Sequence, residues 1–121
     1  MLNLDPHMLV ATLDGTLTGA EEEIARGHEL AISGIVLWEL AKLVRIGRLE
    51  MDLESRLFRR CLGFLTIIPI TPEIAVRSTR LDFRSDPADE LIAATSIVER
   101  LPLLTRDERI LSSHEVPLAV G

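Results

Sequence analysis

The chain has 121 residues, of which 47% are apolar and 26% charged, a composition typical of one folded domain. No apolar run reaches the roughly 18 residues of a membrane span, and the N-terminus MLNLDPHMLV lacks the basic start of a signal peptide. The net charge of −6 argues against broad nonspecific adhesion to nucleic acid, although local contacts stay open. We expect one domain over residues 1–121, in the cytoplasm and without membrane contact, with the single Cys61 as a buried thiol.

Short apolar runs and amphipathic segments alternate along the first half of the chain. Residues 2–4 predict a first strand that ends at Asp5-Pro6, and Asp14-Gly15 predicts a turn. Thr18 and the acids that follow it predict a helix that stops at Gly27. Residues 29–33 predict a second strand. Residues 35–46 predict a helix that ends at Gly47, with an apolar face formed by Leu37, Leu40, Leu43 and Val44.

The second half continues the same alternation. Asp52 is expected to cap a helix that runs to about Gly63, with an inner face formed by Leu53, Leu57, Cys61 and Leu62. Residues 66–70 predict a strand, and Pro69 places it at an edge or an end. Thr71-Pro72 and Asp86-Pro87 each open a helix, the second running to about Arg100. Residues 101–105 and 116–120 predict strands around a short helix or turn at 107–113. This order predicts a layered α/β domain with a parallel sheet.

Four acidic residues fall at one edge of this predicted sheet. Asp5 ends the first strand, and Asp107 follows the strand at 101–105. Glu39 lies early in the helix after the second strand, and Asp89 lies in the first turn of the helix that Asp86-Pro87 opens. Sites in open α/β sheets form outside the carboxyl ends of the strands, so we expect the four carboxylates to converge there.

Each acid also has a purely structural role open to it: a strand-to-helix turn for Asp5, an ion pair with Lys42 for Glu39, and helix capping for Asp89 and Asp107. Together, however, unpaired carboxylates repel one another and lose solvation, and a divalent cation removes that conflict. The three histidines are scattered, so the predicted site is all-oxygen, as Mg²⁺ or Mn²⁺ prefers. Such a metal activates water and stabilises phosphoryl charge, which is the chemistry of phosphodiester hydrolysis.

Several neighbouring residues have candidate supporting roles. Ser33 and Thr105 are hydroxyls that could orient the acids, although strand-end packing explains them equally well. Asp86 is assigned mainly to helix N-capping. Trp38 is assigned to the core or to an interface between subunits rather than to base stacking. The basic residues placed near the groove, with solvated helix faces as the alternative, are Lys42, Arg45, Arg48 and Arg106.

The chain resembles the PIN domain family (named for the PilT N-terminus), especially the VapC-type toxins of bacterial toxin–antitoxin pairs. The matching stretches are LNLDPHMLV, LAISGIVLWELAKLVRIGRL, ITPEIA, DPADELIAATSIVERLPLLTRDERIL and VPLAV, in that order. The resemblance implies a Rossmann-like α/β/α sandwich and a ribonuclease dependent on Mg²⁺ or Mn²⁺. Its acidic quartet corresponds to Asp5, Glu39, Asp89 and Asp107. It further implies a homodimer, and a cognate antitoxin whose C-terminal segment covers the groove. Pro6 departs from the Thr usual in this branch.

Three other functions share features with this sequence. TLDGTLT at 12–18 resembles the signature of haloacid-dehalogenase-type phosphatases, but Thr12 stands where that chemistry needs an Asp nucleophile. A phospho-receiver domain needs a lysine after its last-but-one strand, and the only lysine here is Lys42. A catalytically inactive PIN-like scaffold stays open, because sequence alone does not separate it from an enzyme.

Overall fold

The structure, a computed structural model, describes residues 1–120. Its elements are β1 (Leu2–Leu4), α1 (Pro6–Asp14), α2 (Gly19–Arg26), β2 (Leu30–Ser33), α3 (Gly34–Arg45), α4 (Arg56–Leu62), β3 (Leu65–Ile68), α5 (Pro72–Ser78), α6 (Pro87–Glu99), β4 (Leu103–Leu104) and α7 (Glu108–Leu111). None of the helices that residues 1–120 form is both long and apolar enough to cross a membrane.

The four strands form a parallel sheet in the order β3-β2-β1-β4. Because side chains alternate between the two faces of a sheet, Leu4 and Ile32 join a large apolar cluster with α1 and α3 residues. Ala31 belongs to a smaller cluster with Ile74 of α5 and Ala94 of α6. Helices on both faces confirm the predicted α/β/α sandwich. Parallel strands also bring all their carboxyl ends to one rim, which is where the acids follow them.

Helix α1 was not predicted, although the sequence contains residues typical of a helix start and a helix end at its two termini. The Asp5 side chain accepts the Met8 N–H at 2.8 Å, and Pro6 occupies the first helical position, where no amide hydrogen is needed. Gly15 ends the helix at φ 76°, a conformation that favours glycine. Asp14 therefore lies at an exposed helix end rather than beside a strand, which removes the phosphatase interpretation of TLDGTLT.

The predicted start of α4 is wrong, and its predicted inner face is only partly confirmed: Leu53 and Leu62 pack against the core and Cys61 is partly buried, but Leu57 is not. Asp52 forms a local turn by accepting the Glu54 N–H at 2.9 Å, and Ser55 caps the helix by accepting the Phe58 N–H at 3.1 Å. The helix buries Phe58 and leaves Leu57 72% exposed. An aromatic ring removes more apolar area from water than a leucine does, so packing turns Phe58 inward.

The last strands are shorter than predicted, because prolines interrupt their hydrogen bonding. The strand expected at 101–105 is reduced to β4, and the one expected at 116–120 is reduced to a single bridge between Leu103 and Leu118. Pro102 and Pro117 still accept hydrogen bonds through their carbonyls, but neither has an N–H to donate. Pro69 follows β3 directly, and β3 is an edge strand as predicted.

A polar pair lies inside the domain between the sheet and α6. Asn3 of β1 is fully buried and donates from Nδ2 to the Ser96 hydroxyl at 2.9 Å, while its Oδ1 has no partner within residues 1–120. An unsatisfied buried acceptor costs about 1–3 kcal/mol. We therefore expect the double variant Asn3→Leu/Ser96→Ala to raise the free energy of unfolding by about 1 kcal/mol or more in urea titrations. A less stable double variant would contradict this.

Candidate functional site

Asp5 lies at the carboxyl end of β1, where the residue is only 5% exposed. One oxygen accepts the Met8 N–H, and the other accepts the Thr105 hydroxyl at 2.5 Å. Burial raises the pKa of Asp5, and the charge of Asp107 raises it further, although both hydrogen bonds lower it. The hydrogen bonds therefore only partly offset the burial of the ionised form of Asp5, which favours a positive charge nearby.

Thr105 connects the first of the four acids to the last. Its hydroxyl donates to Asp5 and accepts the Asp107 N–H at 3.0 Å. One Asp107 oxygen, Oδ1, caps α7 by accepting the N–H groups of Arg109 and Ile110. The other, Oδ2, accepts no hydrogen bond from residues 1–120, so Asp107 caps its helix and still presents a free oxygen.

Asp89 lies half-buried in the first turn of α6. Burial raises its pKa, and the neighbouring charges of Asp107 and Glu39 raise it further. The Ser85 hydroxyl donates to Asp89 Oδ2 at 3.1 Å, and the Ser85 N–H donates to Glu90 at 3.3 Å. Sequence reasoning missed Ser85; the signal that could have found it is a serine four residues before an acid at a helix start.

Glu39 is half-buried on α3 and faces a groove that it shares with Asp86 and Asp89. Ser33 starts this helix: its hydroxyl accepts the Ile35 N–H at 3.3 Å. Within residues 1–120, the Ser33 side chain makes no hydrogen bond to any of the four acids, so its link to Glu39 runs through α3. The charge of Asp107 acts on both Asp5 and Asp89. Asp107 therefore links the buried Asp5 to the acids that line the groove.

The assignment of Asp86 to side-chain capping is wrong. Asp86 occupies the N-cap position of α6, but its side chain makes no cap hydrogen bond. A residue before proline adopts this extended conformation whatever its side chain does, so Pro87 alone fixes the backbone here. The Asp86 carboxylate instead lines the groove beside Asp89 and raises the pKa of that residue.

The basic residues expected near the groove have different environments. Arg106 lies on the groove wall, but its guanidinium is held by Glu21 of α2 through two hydrogen bonds of 2.8 and 2.6 Å. That fork lowers the pKa of Glu21 to about 2. Arg48 is exposed on the groove wall. Lys42 lies over the ring of Trp38, 4.4 Å from its centroid, and Arg45 is exposed at the end of α3.

The oxygen donors fit a hydrated divalent cation better than a closed metal cage. Within residues 1–120, no three His, Cys, Asp or Glu side chains are drawn together as tightly as a complete ligand set. Mg²⁺ commonly binds through one or two carboxylates and keeps several waters, so it needs no such cage. Asp107 Oδ2 and the Glu39 carboxylate, free of hydrogen bonds from residues 1–120, are hard donors suited to Mg²⁺ or Mn²⁺.

The family model for the PIN domain matches residues 4–114, a range that holds all four acids. The chain belongs to the PIN domain family. It is 35% identical over 104 residues to Ribonuclease VapC22 of Mycobacterium tuberculosis, a match that covers 84% of this chain and 79% of that relative. The family resemblance in the sequence is thereby confirmed.

Two solved structures share the PIN fold over nearly the whole chain. VapBC2 from Rickettsia felis, bound to a promoter DNA fragment, matches with a TM-score of 0.73 and 23% identity, covering 98% of this chain and 97% of that one. A toxin–antitoxin complex from Klebsiella pneumoniae matches with a TM-score of 0.70 and 22% identity, covering 93% and 91%. At this identity the likeness supports the fold alone.

Pro6, which departs from the pattern of this PIN branch, fits the local geometry. It occupies the first position of α1, and the Met8 N–H still reaches Asp5. The residue whose amide Asp5 uses lies two positions further on, so the missing N–H of proline removes no contact to the acid.

The raised pKa of Asp89 predicts how metal-free stability depends on pH. From the usual value of 3.8 up to the raised pKa, the folded state binds more protons than the unfolded state, so the free energy of unfolding falls as pH rises. Asp89→Asn removes this group. Its stability relative to wild type should therefore increase across that window and stay constant above it.

Urea titrations at a series of pH values in a chelator measure this difference. The control is Glu50→Gln, a change on the exposed loop after α3. Its stability relative to wild type should vary little with pH. A difference between Asp89→Asn and wild type that does not vary with pH would show that Asp89 titrates normally.

Proposed function

We propose that this PIN domain is a metal-dependent endoribonuclease and the toxin of a toxin–antitoxin pair. The observation that carries the proposal is the Thr105 bridge, which ties Asp5 to Asp107 beside Asp89. The 35% identity to a protein named as a ribonuclease supports RNA as the substrate. The metal ligands are Asp5, Glu39, Asp89 and Asp107.

The cofactor proposed for these four acids is Mg²⁺ or Mn²⁺, which when bound lowers the pKa of water and neutralises charge on a phosphoryl oxygen. The residues of the chain keep the acids in position for it. Thr105 holds the Asp5 carboxylate by donating to it, and Ser85 does the same for Asp89. Ser33 fixes the first turn of α3 and, through the helix, the position of Glu39. Loss of such a hydrogen bond to a metal ligand commonly lowers metal affinity or activity about 10- to 100-fold.

Positive charge on the groove walls is proposed to contact the RNA backbone. Arg48 and Lys42 are exposed, and Arg48 lies on the same wall as Glu39. Arg45 is proposed to contribute more weakly, from the end of α3. Arg106 would have to leave Glu21 to bind a phosphate, so we assign it mainly to holding α2 against the site.

The partners proposed for the chain are RNA, a cognate antitoxin and a second copy of itself. Solved structures with the same fold are named as a toxin–antitoxin complex and as VapBC2. An acidic groove on a chain of net charge −6 suits a basic antitoxin segment. A homodimer would cover some of the exposed apolar side chains, such as Leu57 and Val76. We place the protein and these three partners in the cytoplasm.

Incubation of the purified protein with a mixed RNA pool, followed by mapping of the new ends, tests the proposed function. Cleavage should require Mg²⁺ or Mn²⁺ and stop when a chelator is added. A denatured DNA pool of matched length serves as the substrate control. A folded protein that binds RNA but never cleaves it, with either metal, would move the assignment to the inactive scaffold.

A further inference from the structure

We propose that Trp38 and Lys42 form a binding site for one unpaired RNA base and its phosphate, directly beside the acidic groove. The inference rests on the proposed ribonuclease function and adds Trp38 as a residue that binds the substrate by stacking. Of the core and interface roles predicted for Trp38, its 49% exposure in the single chain contradicts the core role. Trp38 precedes Glu39, so the site is adjacent in sequence to a proposed metal ligand.

The cleft beside Trp38 has a volume and a largely apolar lining that suit a nucleobase. It runs between α3 and the start of α6 and has a volume of about 290 Å³. That is small for a ligand site, with room for one base rather than a dinucleotide. Leu43 and Ile46 line it from α3, and Pro87 and Ala88 line it from α6. Apolar walls next to an exposed indole suit the stacking of a flat aromatic ring, which is sequence-tolerant because every base has such a face.

Lys42 supplies the charge that an RNA strand requires at this position. Its ammonium lies 4.4 Å from the centre of the indole ring, one helical turn along α3. Within residues 1–120 it takes part in no ion pair, so it remains available for a phosphate oxygen. In a chain of net charge −6, an unpaired lysine over an exposed tryptophan is locally complementary to a nucleotide, which carries both a ring and an anion.

The cleft lies directly beside the acidic groove. Glu39, Leu43 and Asp86 line both cavities, so they form the boundary between the two. A single strand whose phosphate lies at the acids therefore reaches the cleft with a neighbouring nucleotide. Stacking on Trp38 would fix the register of the strand and keep double-stranded RNA out, because a paired base cannot enter.

The chain offers a direct readout of this contact. Trp38 is its only tryptophan and it has no tyrosine, so fluorescence excited selectively in tryptophan reports Trp38 alone. A hexamer of adenylate, added to the wild-type protein in a chelator, binds without being cut. We expect saturable quenching by this hexamer and little quenching by an abasic ribose-phosphate hexamer, which has the same charges but no bases.

Variants separate the stacking from the charge. Polarisation of a labelled hexamer should show that Trp38→Leu weakens binding roughly tenfold or more, while Trp38→Phe keeps most of the affinity. Lys42→Gln should weaken binding and lower the slope of its salt dependence by about one. The matched control is Phe64→Leu. Phe64 is an exposed aromatic residue directly before β3, and this variant should leave the affinity for the hexamer unchanged.

The outcomes are distinguishable from failure of the proposed function. Binding of the hexamer by wild type with no change in Trp38→Leu, or no quenching at saturation, would overturn the Trp38 site and leave the ribonuclease standing. Absence of both binding and cleavage by wild type would overturn the two together. Sedimentation of Trp38→Leu decides the remaining alternative: a changed oligomeric state with unaltered affinity would place Trp38 between two copies of the chain and overturn the proposal.

Discussion

Replacing Asp89 with Asn is expected to reduce RNA cleavage by at least about a hundredfold while the protein stays folded. Replacing a residue that only orients a metal ligand lowers metal affinity or activity about 10- to 100-fold. Replacing a ligand itself should lower activity more. Asn keeps the shape of the side chain and can still accept the Ser85 hydroxyl. Because Asp89 carries a raised pKa near Asp107 and Glu39, removal of its charge should not lower metal-free stability. Cleavage rates at saturating Mn²⁺ and urea titrations measure the two effects.

Asp52→Asn is the matched control for this experiment. Asp52 is also an acid in a local turn, but it lies before α4 and away from the groove. Cleavage by this variant should equal that of wild type. If Asp89→Asn unfolds, or if it cleaves like Asp52→Asn, then Asp89 serves the start of α6 rather than the reaction.

Replacing Thr105 with Val is expected to damage stability and activity together. The hydroxyl donates to buried Asp5 and accepts the Asp107 N–H, so valine strips two polar groups of their partner. A buried group left unsatisfied costs about 1–3 kcal/mol, and we expect a loss of that size in the free energy of unfolding at neutral pH. Cleavage should fall about 10- to 100-fold, because Asp5 loses the group that orients it.

Thr105→Ser tests whether the hydroxyl, rather than the packing of the methyl group, has this effect. Serine retains the donor and should restore most of the cleavage lost in Thr105→Val. The pH profile gives a second readout: without the Thr105 bond the pKa of Asp5 should rise further, so the acid side of the cleavage profile should move to higher pH in the valine variant only. Equal profiles for Val and Ser would mean that Thr105 only fills space.

Local signals in the sequence predicted most of the fold. Apolar runs with strand period, proline at helix starts and glycine at helix ends predicted the parallel sheet and the order of the elements other than α1. The acids could be assigned to one rim because parallel strands share their carboxyl ends. Errors arose where packing decides between local alternatives: α4 starts at Ser55 rather than Asp52 because its burial of Phe58 depends on distant residues.

The details of the site depended on contacts that sequence spacing does not reveal. Thr105 reaches Asp5 across 100 positions of the chain, and Arg106 reaches Glu21 across 85. No local pattern predicts either partner. The freedom of the Asp86 side chain could have been predicted, since Pro87 alone imposes the backbone conformation that a capping residue shows. The sequence left Trp38 between the core and an interface between subunits, and only the packing of the folded chain shows that it is exposed.

Thermal melting with and without Mg²⁺ or Mn²⁺, for wild type and Asp89→Asn at matched ionic strength, tests the metal site most directly. A ligand that binds the folded state raises the melting temperature. We predict a rise with millimolar metal in wild type that is lost in Asp89→Asn. No rise in either protein, or an equal rise in both, would contradict the metal site and leave Asp5 and Asp107 with helix capping as their only role.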